Sequence, residues 1–73
     1  MNKLIIDAAK DKIFLMIIGN SIRYSITHEN TKINYEKLTL LINEFLNMKK
    51  IDLKAVSQIY VNRGPGSFAG IRN

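Results

Sequence analysis

A strand-like run that ends in a glycine- and proline-rich turn is the feature that most constrains this fold. Residues 58–62 are mostly apolar, and Arg63-Gly64-Pro65-Gly66-Ser67 follows them directly. Gly66 can adopt a positive φ angle at little cost, and Ser67 is placed to cap a helix that begins at Phe68. The segment therefore predicts a short strand, a tight turn and the start of a helix.

Three earlier runs of apolar residues predict three more strands. The first strand is predicted at Lys3 to Asp7, where the apolar run Leu4-Ile5-Ile6 is typical of a strand buried on both faces. Lys12 to Ile18 predicts the second strand, and Gly19-Asn20 predicts a two-residue hairpin turn after it. The run from Ile22 to Ile26 alternates apolar and polar residues, which indicates a third strand near a sheet edge with one wet face.

A helical pattern follows the third strand. His28 to Ile33 is predicted as a polar loop, and Asn34 as the cap of a helix that runs from Tyr35 to Met48. The apolar residues of this helix cover an arc of roughly 160°. Leu40 lies alone on the opposite side, so we expect it to be exposed.

The order of these elements predicts an α/β fold. A fourth strand is expected at Val56–Asn62, after the helix. Because a helix separates the third and fourth strands, the fourth should cross over and lie parallel to a neighbour. The predicted order is β-β-β-α-β, followed by a helix start.

Composition limits the classes of protein that remain. The 73 residues allow one small domain, and the longest apolar run, Ile13 to Ile18, is far shorter than the roughly 20 residues of a membrane span. Without a signal sequence or cysteine, the chain is predicted to be cytoplasmic, with no membrane partner. The net charge of +5 permits an anionic partner such as RNA. Scattered lysines without interleaved aromatic residues favour a solvated surface instead.

Two segments carry polar groups that could bind phosphate. Asp7 ends a buried strand before a hairpin, where a carboxylate can hold a Mg²⁺–phosphate, and Gly64, Gly66 and Ser67 could bind an anion at a helix start. The glycine spacing fits neither the dinucleotide fingerprint nor the Walker loop. For both segments we favour the plain interpretation, a sharp turn and a solvated turn acid. No cofactor is predicted.

The sequence has few residues that could carry out hydrolysis or bind a metal ion. The only histidine, His28, has no evident acid partner except Glu29, and Ser67 does not occupy the nucleophile position of a G-x-S-x-G motif. A lone histidine is also insufficient for a metal site. No catalytic or metal-ligating residue is therefore predicted.

Residues 63–72 carry a specific family resemblance. They read R-G-P-G-S-F-A-G-I-R, which resembles the signature R-G-P-G-S-F-T-G-[LI]-R of the TsaB (YeaZ) family. The run that ends at Asp7 resembles the first strand of that family, although Ala8-Ala9 replace its usual Thr-Ser. Glu36-Lys37-Leu38 resembles the family's first helix, and Asn34 stands where the family usually has a histidine. The resemblance extends over essentially the whole chain.

The resemblance implies a fold and a role. The fold would be the N-terminal part of an ASKHA lobe (actin, sugar kinase and Hsp70-like, within the ribonuclease H-like group). Because family members have two lobes and are several times longer, residues 1–73 are expected to be an incomplete N-terminal lobe. The implied role is that of a non-catalytic subunit that pairs with a TsaD-like catalytic subunit to form N6-threonylcarbamoyladenosine (t6A37) in tRNA. A TsaE-like ATPase would join the larger complex, and the contact with tRNA would be indirect.

The same likeness implies a partner surface. It would be formed by the first helix and by the helix opened at Ser67-Phe68, which could also form a homodimer. The residues predicted to lie on this surface are Asn34, Leu38, Leu41, Ile42, Phe45, Phe68 and Ile71. The alternative function is a nucleotide-binding ASKHA-type enzyme that uses Asp7 and the Gly64–Ser67 loop.

Overall fold

The described residues form one mixed β-sheet with helices against one face. A computed structural model describes residues 2–64 and 67–69, with side chains for residues 2–62. The strand order in the sheet is β3-β2-β1-β4-β5. The strands are β1 (Asn2–Asp7), β2 (Lys12–Ile18), β3 (Arg23–Glu29), β4 (Val56–Gly64) and β5 (Ser67–Ala69), and the helices are α1 (Lys32–Glu36) and α2 (Leu38–Met48), followed by a 3-10 turn at Leu53–Ala55. The predicted α/β class and the order β-β-β-α-β are confirmed.

Strand β1 is the centre of the sheet. It pairs antiparallel with β2, where Leu4 lies opposite Ile17, and parallel with β4, where Leu4 lies opposite Ile59. The helices connect β3 to β4, so the chain crosses over the sheet before its fourth strand. The predicted crossover and the parallel pairing of the fourth strand are therefore confirmed.

The β2–β3 hairpin is shifted by one residue from the predicted turn. The Gly19 amide donates to the Ile22 carbonyl at 3.0 Å, so Asn20 and Ser21 occupy the tip of the hairpin. A Cβ atom on Gly19 would lie 2.5 Å from Asn2 Oδ1 and 2.8 Å from Ile22 Cγ1. A side chain at this position would therefore force the side chains of Asn2 and Ile22 to shift.

Strand β3 is longer than predicted and lies at the edge of the sheet, as expected. It continues through His28 to Glu29, so the predicted polar loop of residues 28–33 shrinks to Asn30 and Thr31. Side chains along β3 are exposed or half-buried, which fits a strand with one neighbour. β3 continues to Glu29 because it remains paired with β2 as far as Lys12, which lies opposite Glu29.

The hydrophobic core lies between the sheet and α2. Alternate strand residues are fully buried on this face, and α2 contributes Phe45 at 1% and Leu46 at 2% exposure. The strand residues of this core are Leu4, Ile6, Ile13, Leu15, Ile17 and Val56. On the opposite face Ile5, Phe14 and Met16 are only half-buried, because no described element covers them. The prediction that β1 is buried on both faces is wrong for the described residues.

The first helix begins earlier than predicted. Thr31 is its cap, and the Thr31 hydroxyl accepts a hydrogen bond from the Asn34 amide at 3.0 Å. The Asn34 side chain instead donates to the Glu29 carbonyl at 2.8 Å. Asn34 therefore lies in the first turn and is not the cap. The sequence alone does not show which of Thr31 and Asn34 is the cap, because both residue types favour cap positions.

A local irregularity at Lys37 divides the predicted single helix into α1 and α2. Lys37 has φ −96° and ψ 16°, which departs from helical geometry. Hydrogen bonds from Lys37 to the Ile33 carbonyl and from Leu41 to the Lys37 carbonyl still cross the junction. The two helices consequently follow one another with little loss of main-chain hydrogen bonding.

Helix α2 ends in a Schellman motif. The Ile51 amide donates to the Leu46 carbonyl at 2.9 Å, and the Lys50 amide donates to the Asn47 carbonyl at 3.0 Å. Lys50 has φ 58°, the left-handed conformation that glycine usually adopts at this position. Ile51 and Leu46 both join the core, which supplies the hydrophobic contact typical of the motif.

The predicted helix start at Ser67 and Phe68 is wrong. Ser67–Ala69 forms the short strand β5, which pairs antiparallel with β4 and places Asn62 opposite Phe68. Strand β4 has a free edge at this point, and Ser67–Ala69 pairs with that edge. Pairing with β4 satisfies the main-chain groups of this segment instead. Pro65, Gly66 and residues 70–73 lie outside the described part of the chain.

Candidate partner surface

Several large apolar side chains lie exposed on the helices. We call Ile33, Tyr35, Leu40 and Met48 the outer helix surface. Their exposed fractions are 63, 40, 52 and 60%, respectively. The predicted exposure of Leu40 is confirmed. Leu40 and Met48 are eight residues apart on α2, so they lie about two turns apart within one broad stripe of the helix.

The opposite side of α2 packs against the sheet. Leu41 and Phe45, which were predicted to lie on the partner surface, are exposed by only 8 and 1% and belong to the core. Leu38 and Ile42 are half-buried and pack against the edge of that core. Leu41 and Phe45 are therefore removed from the predicted surface, because their side chains are already covered by the sheet.

The remaining predicted surface residues have different surroundings. Asn34 is half-buried and is held by its hydrogen bond to the Glu29 carbonyl. Phe68 lies on β5 instead of a helix, which removes the second helix from the predicted surface. Ile71 lies outside the described residues. Binding of a partner at this surface stays a prediction.

The sequence prediction missed Ile33 as a surface residue because it placed the helix start too late. Once the helix begins after Thr31, Ile33 lies two turns before Leu40 and close to the same side. Thr31 followed by Asn34 was a usable signal, since threonine is a preferred cap residue. Met48 belongs to the predicted apolar arc of the helix, and in the structure its side chain is exposed.

The turn after Asp7 is closed by hydrogen bonds within the chain. Asp7 Oδ1 accepts from the Ala9 amide at 3.2 Å, and the Ala8 amide donates to the Asn62 carbonyl at 2.7 Å. Asn30 Nδ2 donates to the carbonyls of Ala8 at 3.0 Å and Lys10 at 2.6 Å. The Ala8 and Ala9 amides thus already have acceptors in the chain, which counts against a phosphate cradle at this turn.

Other titratable groups of the described residues do not form a catalytic cluster. Lys12 forms an ion pair with Glu29, and the hydrogen bond and the charge of Glu29 raise the pKa of Lys12 above its ordinary value. His28 is half-exposed on β3. Among residues 2–64 and 67–69, no three histidine, aspartate or glutamate side chains lie close enough to hold a metal ion. Gly66 of the predicted phosphate loop lies outside this part of the chain.

One open cleft lies between α2 and the 3-10 turn. Its volume is about 450 Å³, and its lining residues are Asn43, Leu46, Asn47, Ile51, Asp52 and Leu53. Asp52 Oδ1 accepts a hydrogen bond from the Lys54 amide at 2.9 Å, which caps the 3-10 turn. Among the lining residues of this cleft only Asp52 is charged, and its carboxylate caps the 3-10 turn. The cleft therefore contains no cluster of charged groups. Within the described residues, no helix is long and apolar enough to cross a membrane.

Comparison with known proteins gives a structural match. No protein-family model matches the sequence, and no curated protein does. Among solved structures, YeaZ from Pseudomonas aeruginosa is similar, with a TM-score of 0.76 and 20% sequence identity. A second structure, described as an uncharacterised protein with similarity to peptidase YeaZ from P. aeruginosa, gives the same TM-score and identity.

The extent of the match is uneven between the two proteins. It covers 90% of this chain but 31% of each of those structures, so the chain spans about a third of their length. At this identity the likeness concerns the fold. It confirms, at the level of the fold, the resemblance to the TsaB (YeaZ) family that residues 63–72 carry in sequence. The chain has a mixed α/β fold that matches an N-terminal portion of the YeaZ structure.

Proposed function

We propose that this chain is a non-catalytic component of a TsaB-like protein and pairs with a TsaD-like catalytic subunit in t6A37 formation. The outer helix surface is the observation on which the proposal rests. The proposal is supported by the YeaZ-like fold together with the specific sequence of residues 63–72. Such a complex would work in the cytoplasm, with a TsaE-like ATPase as a further member and tRNA contacted indirectly.

The outer helix surface has the chemistry of a protein interface. Scattered single apolar residues are normal on protein surfaces, but here four large ones lie on two consecutive helices. Burial of an aliphatic side chain on a partner contributes about 1.5–3 kcal/mol when it is complete. Leu40 and Met48 therefore supply enough apolar surface to contribute measurably to an interface.

A supporting role without catalysis fits the chemistry of the described residues. The amides next to Asp7 already bond to Asn62 and to Asp7 itself. Within residues 2–62, the ring of His28 makes no hydrogen bond that could orient it as a base. These observations favour a pairing function over the alternative of a nucleotide-binding enzyme at Asp7.

Binding to the TsaD-like subunit tests the proposal directly. We would titrate the unaltered chain and the variants Leu40→Asp and Met48→Asp against that subunit by calorimetry. Light scattering then gives the size of each complex. Each aspartate places a charge in the interface, and we expect each to raise the Kd by about tenfold or more. Leu53→Asp is the matched control, since Leu53 is exposed by 38% but lies outside the outer helix surface.

Some outcomes of this binding experiment would contradict the proposal. If all three variants bind as tightly as the full chain, the outer helix surface is not the interface. If the unaltered chain does not bind, while its circular dichroism shows a folded α/β protein, the pairing function itself is wrong. Binding of Mg²⁺–ATP that is abolished by Asp7→Ala would instead favour the alternative function.

A further inference from the structure

Strand β3 presents an open sheet edge that is not protected in the usual ways. In the part of the chain that the structure describes, β3 pairs with β2 and no strand pairs with its outer edge. Natural proteins usually protect an edge strand with proline, bulges or central charges. The pairing of β3 shows no bulge, and between Arg23 and Glu29 its residues are Tyr24-Ser25-Ile26-Thr27-His28. This central run favours β structure and contains no lysine, proline or glycine.

The hydrogen bonds at the two ends of β3 establish which main-chain groups face outward. The Ile22 carbonyl accepts from Gly19, and the Asn30 amide donates to Asp11, so both residues point toward β2. Main-chain polar groups alternate in direction along a strand. The outward groups are therefore those of Arg23, Ser25, Thr27 and Glu29. Among these, the Glu29 carbonyl already accepts from Asn34 Nδ2.

We propose that the outer edge of β3 pairs antiparallel with β3 of a second copy of this chain, around a two-fold axis at Ile26. In this register Arg23 lies opposite Glu29 of the other copy, and Ser25 lies opposite its Thr27. These residues all belong to the outward set, so about six main-chain hydrogen bonds form across the axis without the two Glu29 carbonyls that Asn34 already occupies. The β-sheets of the two copies then join into one continuous sheet.

Charge complementarity selects this arrangement over the alternatives. Antiparallel pairing places an arginine against a glutamate at both ends of the strand pair, and opposite charges across strands are stabilising. Parallel pairing would place Arg23 beside Arg23 and Glu29 beside Glu29 of the other copy, which is destabilising. A shift of two residues in the antiparallel register would leave both charges without their partners. Only the register around Ile26 uses the full length of β3.

The charged groups around Glu29 also favour pairing in this register. Lys12 lies opposite Glu29 within the same copy and forms an ion pair with it. Arg23 of the second copy would approach Glu29 from the other side, so that the carboxylate lies between two cations. The pairing is isologous, because the same groups of both copies make the same contacts. It is separate from the outer helix surface and does not depend on the proposed function.

Cross-linking tests the register, because the chain contains no cysteine of its own. Residues opposite each other at the axis have Cα atoms about 4.5 Å apart. A disulfide accepts Cα separations of roughly 4.4–6.8 Å. Ile26→Cys should therefore form a disulfide between two copies under mild oxidation. Ser25→Cys alone and Thr27→Cys alone should not, since their sulfurs belong to diagonal positions about 7–8 Å apart. A mixture of Ser25→Cys and Thr27→Cys should cross-link as a heterodimer.

Sedimentation equilibrium of the full chain at physiological salt measures the pairing without any cross-link. The unaltered chain should show a monomer–dimer equilibrium, and Arg23→Glu should raise the dimer Kd by about tenfold or more, because like charges then face each other at both ends. Lys54→Glu is the matched control, with the same change of net charge at an exposed site away from β3. Circular dichroism establishes that each variant is folded.

Three results would overturn the proposal. One is a monomeric unaltered chain across the whole concentration series. The other is cross-linking of Ser25→Cys or Thr27→Cys alone as efficiently as Ile26→Cys, which would show pairing in another register or random collision. A dimer that is abolished by Leu40→Asp and unaffected by Arg23→Glu would assign self-association to the outer helix surface and would equally contradict pairing through β3.

Discussion

The ammonium group of Lys49 lies 4.5 Å from the centre of the Tyr24 ring. This contact joins the end of α2 to the edge strand β3, on the face of the sheet that the helix covers. A cation above an aromatic ring is stabilising by about 0.5–1 kcal/mol at exposed sites. We expect a double-mutant cycle of Lys49→Gln and Tyr24→Leu to give a coupling free energy of this size by urea denaturation. A coupling of zero would show that the contact adds nothing in solution.

The left-handed conformation of Lys50 predicts a stabilising substitution. A non-glycine residue in this conformation costs about 1–2 kcal/mol, of which glycine recovers most while it adds entropy to the unfolded chain. Lys50→Gly should therefore raise the free energy of unfolding by about 0.5–1 kcal/mol. Lys37→Gly is the control: with φ −96°, Lys37 gains no such relief, and the substitution should destabilise the chain. Equal effects of both substitutions would contradict the assigned end of α2.

Asn30 should contribute strongly to the turn between β1 and β2. Its side chain donates to the carbonyls of Ala8 and Lys10, so Asn30→Ala removes two hydrogen bonds at once. We expect a loss of about 1–2 kcal/mol in the free energy of unfolding. Asn20→Ala, at the tip of the β2–β3 hairpin, is the comparison and should change stability by less than about 0.5 kcal/mol. A neutral Asn30→Ala would show that water replaces both hydrogen bonds.

The two sides of α2 should respond very differently to truncation. Phe45→Ala removes a side chain exposed by only 1% and should cost about 3–5 kcal/mol. A chain of this length has a total stability of about 4–11 kcal/mol, so this variant should be largely unfolded or close to it. Leu40→Ala removes a side chain exposed by 52% and should change stability by less than about 0.5 kcal/mol. Similar losses at both positions would contradict the assignment of Phe45 to the core and Leu40 to the outer helix surface.

The elements that the sequence predicted well are those whose pattern depends on local periodicity. The apolar runs of β1, β2 and β4 and the helical period around Leu41 were sufficient to predict their type and order. The face to which each side chain belongs was harder. Leu41 and Phe45 share the apolar arc of α2 with Leu38 and Ile42, and the rotation of the helix against the sheet decides which of them are covered. That rotation is set by packing against Leu15 and the other buried strand residues, which come together only once the sheet has formed.

The errors at element ends have a different origin. Thr31 and Asn34 both favour cap positions, and the hydrogen bond of Asn34 to Glu29 is available only after β3 has reached its full length. Ser67 could cap a helix or begin a strand, and the open edge of β4 decides in favour of the strand. In both places a neighbouring strand determines the outcome, and the local motif by itself does not.

The position of β1 between β2 and β4 also affects the order in which the chain can fold. Pairing of β1 with β2 needs only a short turn, whereas the parallel pairing of Asn2 with Val56 brings together residues from nearly opposite ends of the described chain. Contacts between residues so far apart in sequence form slowly, because a long loop must close first. During synthesis β1 would therefore keep one side without its partner until β4 has left the ribosome.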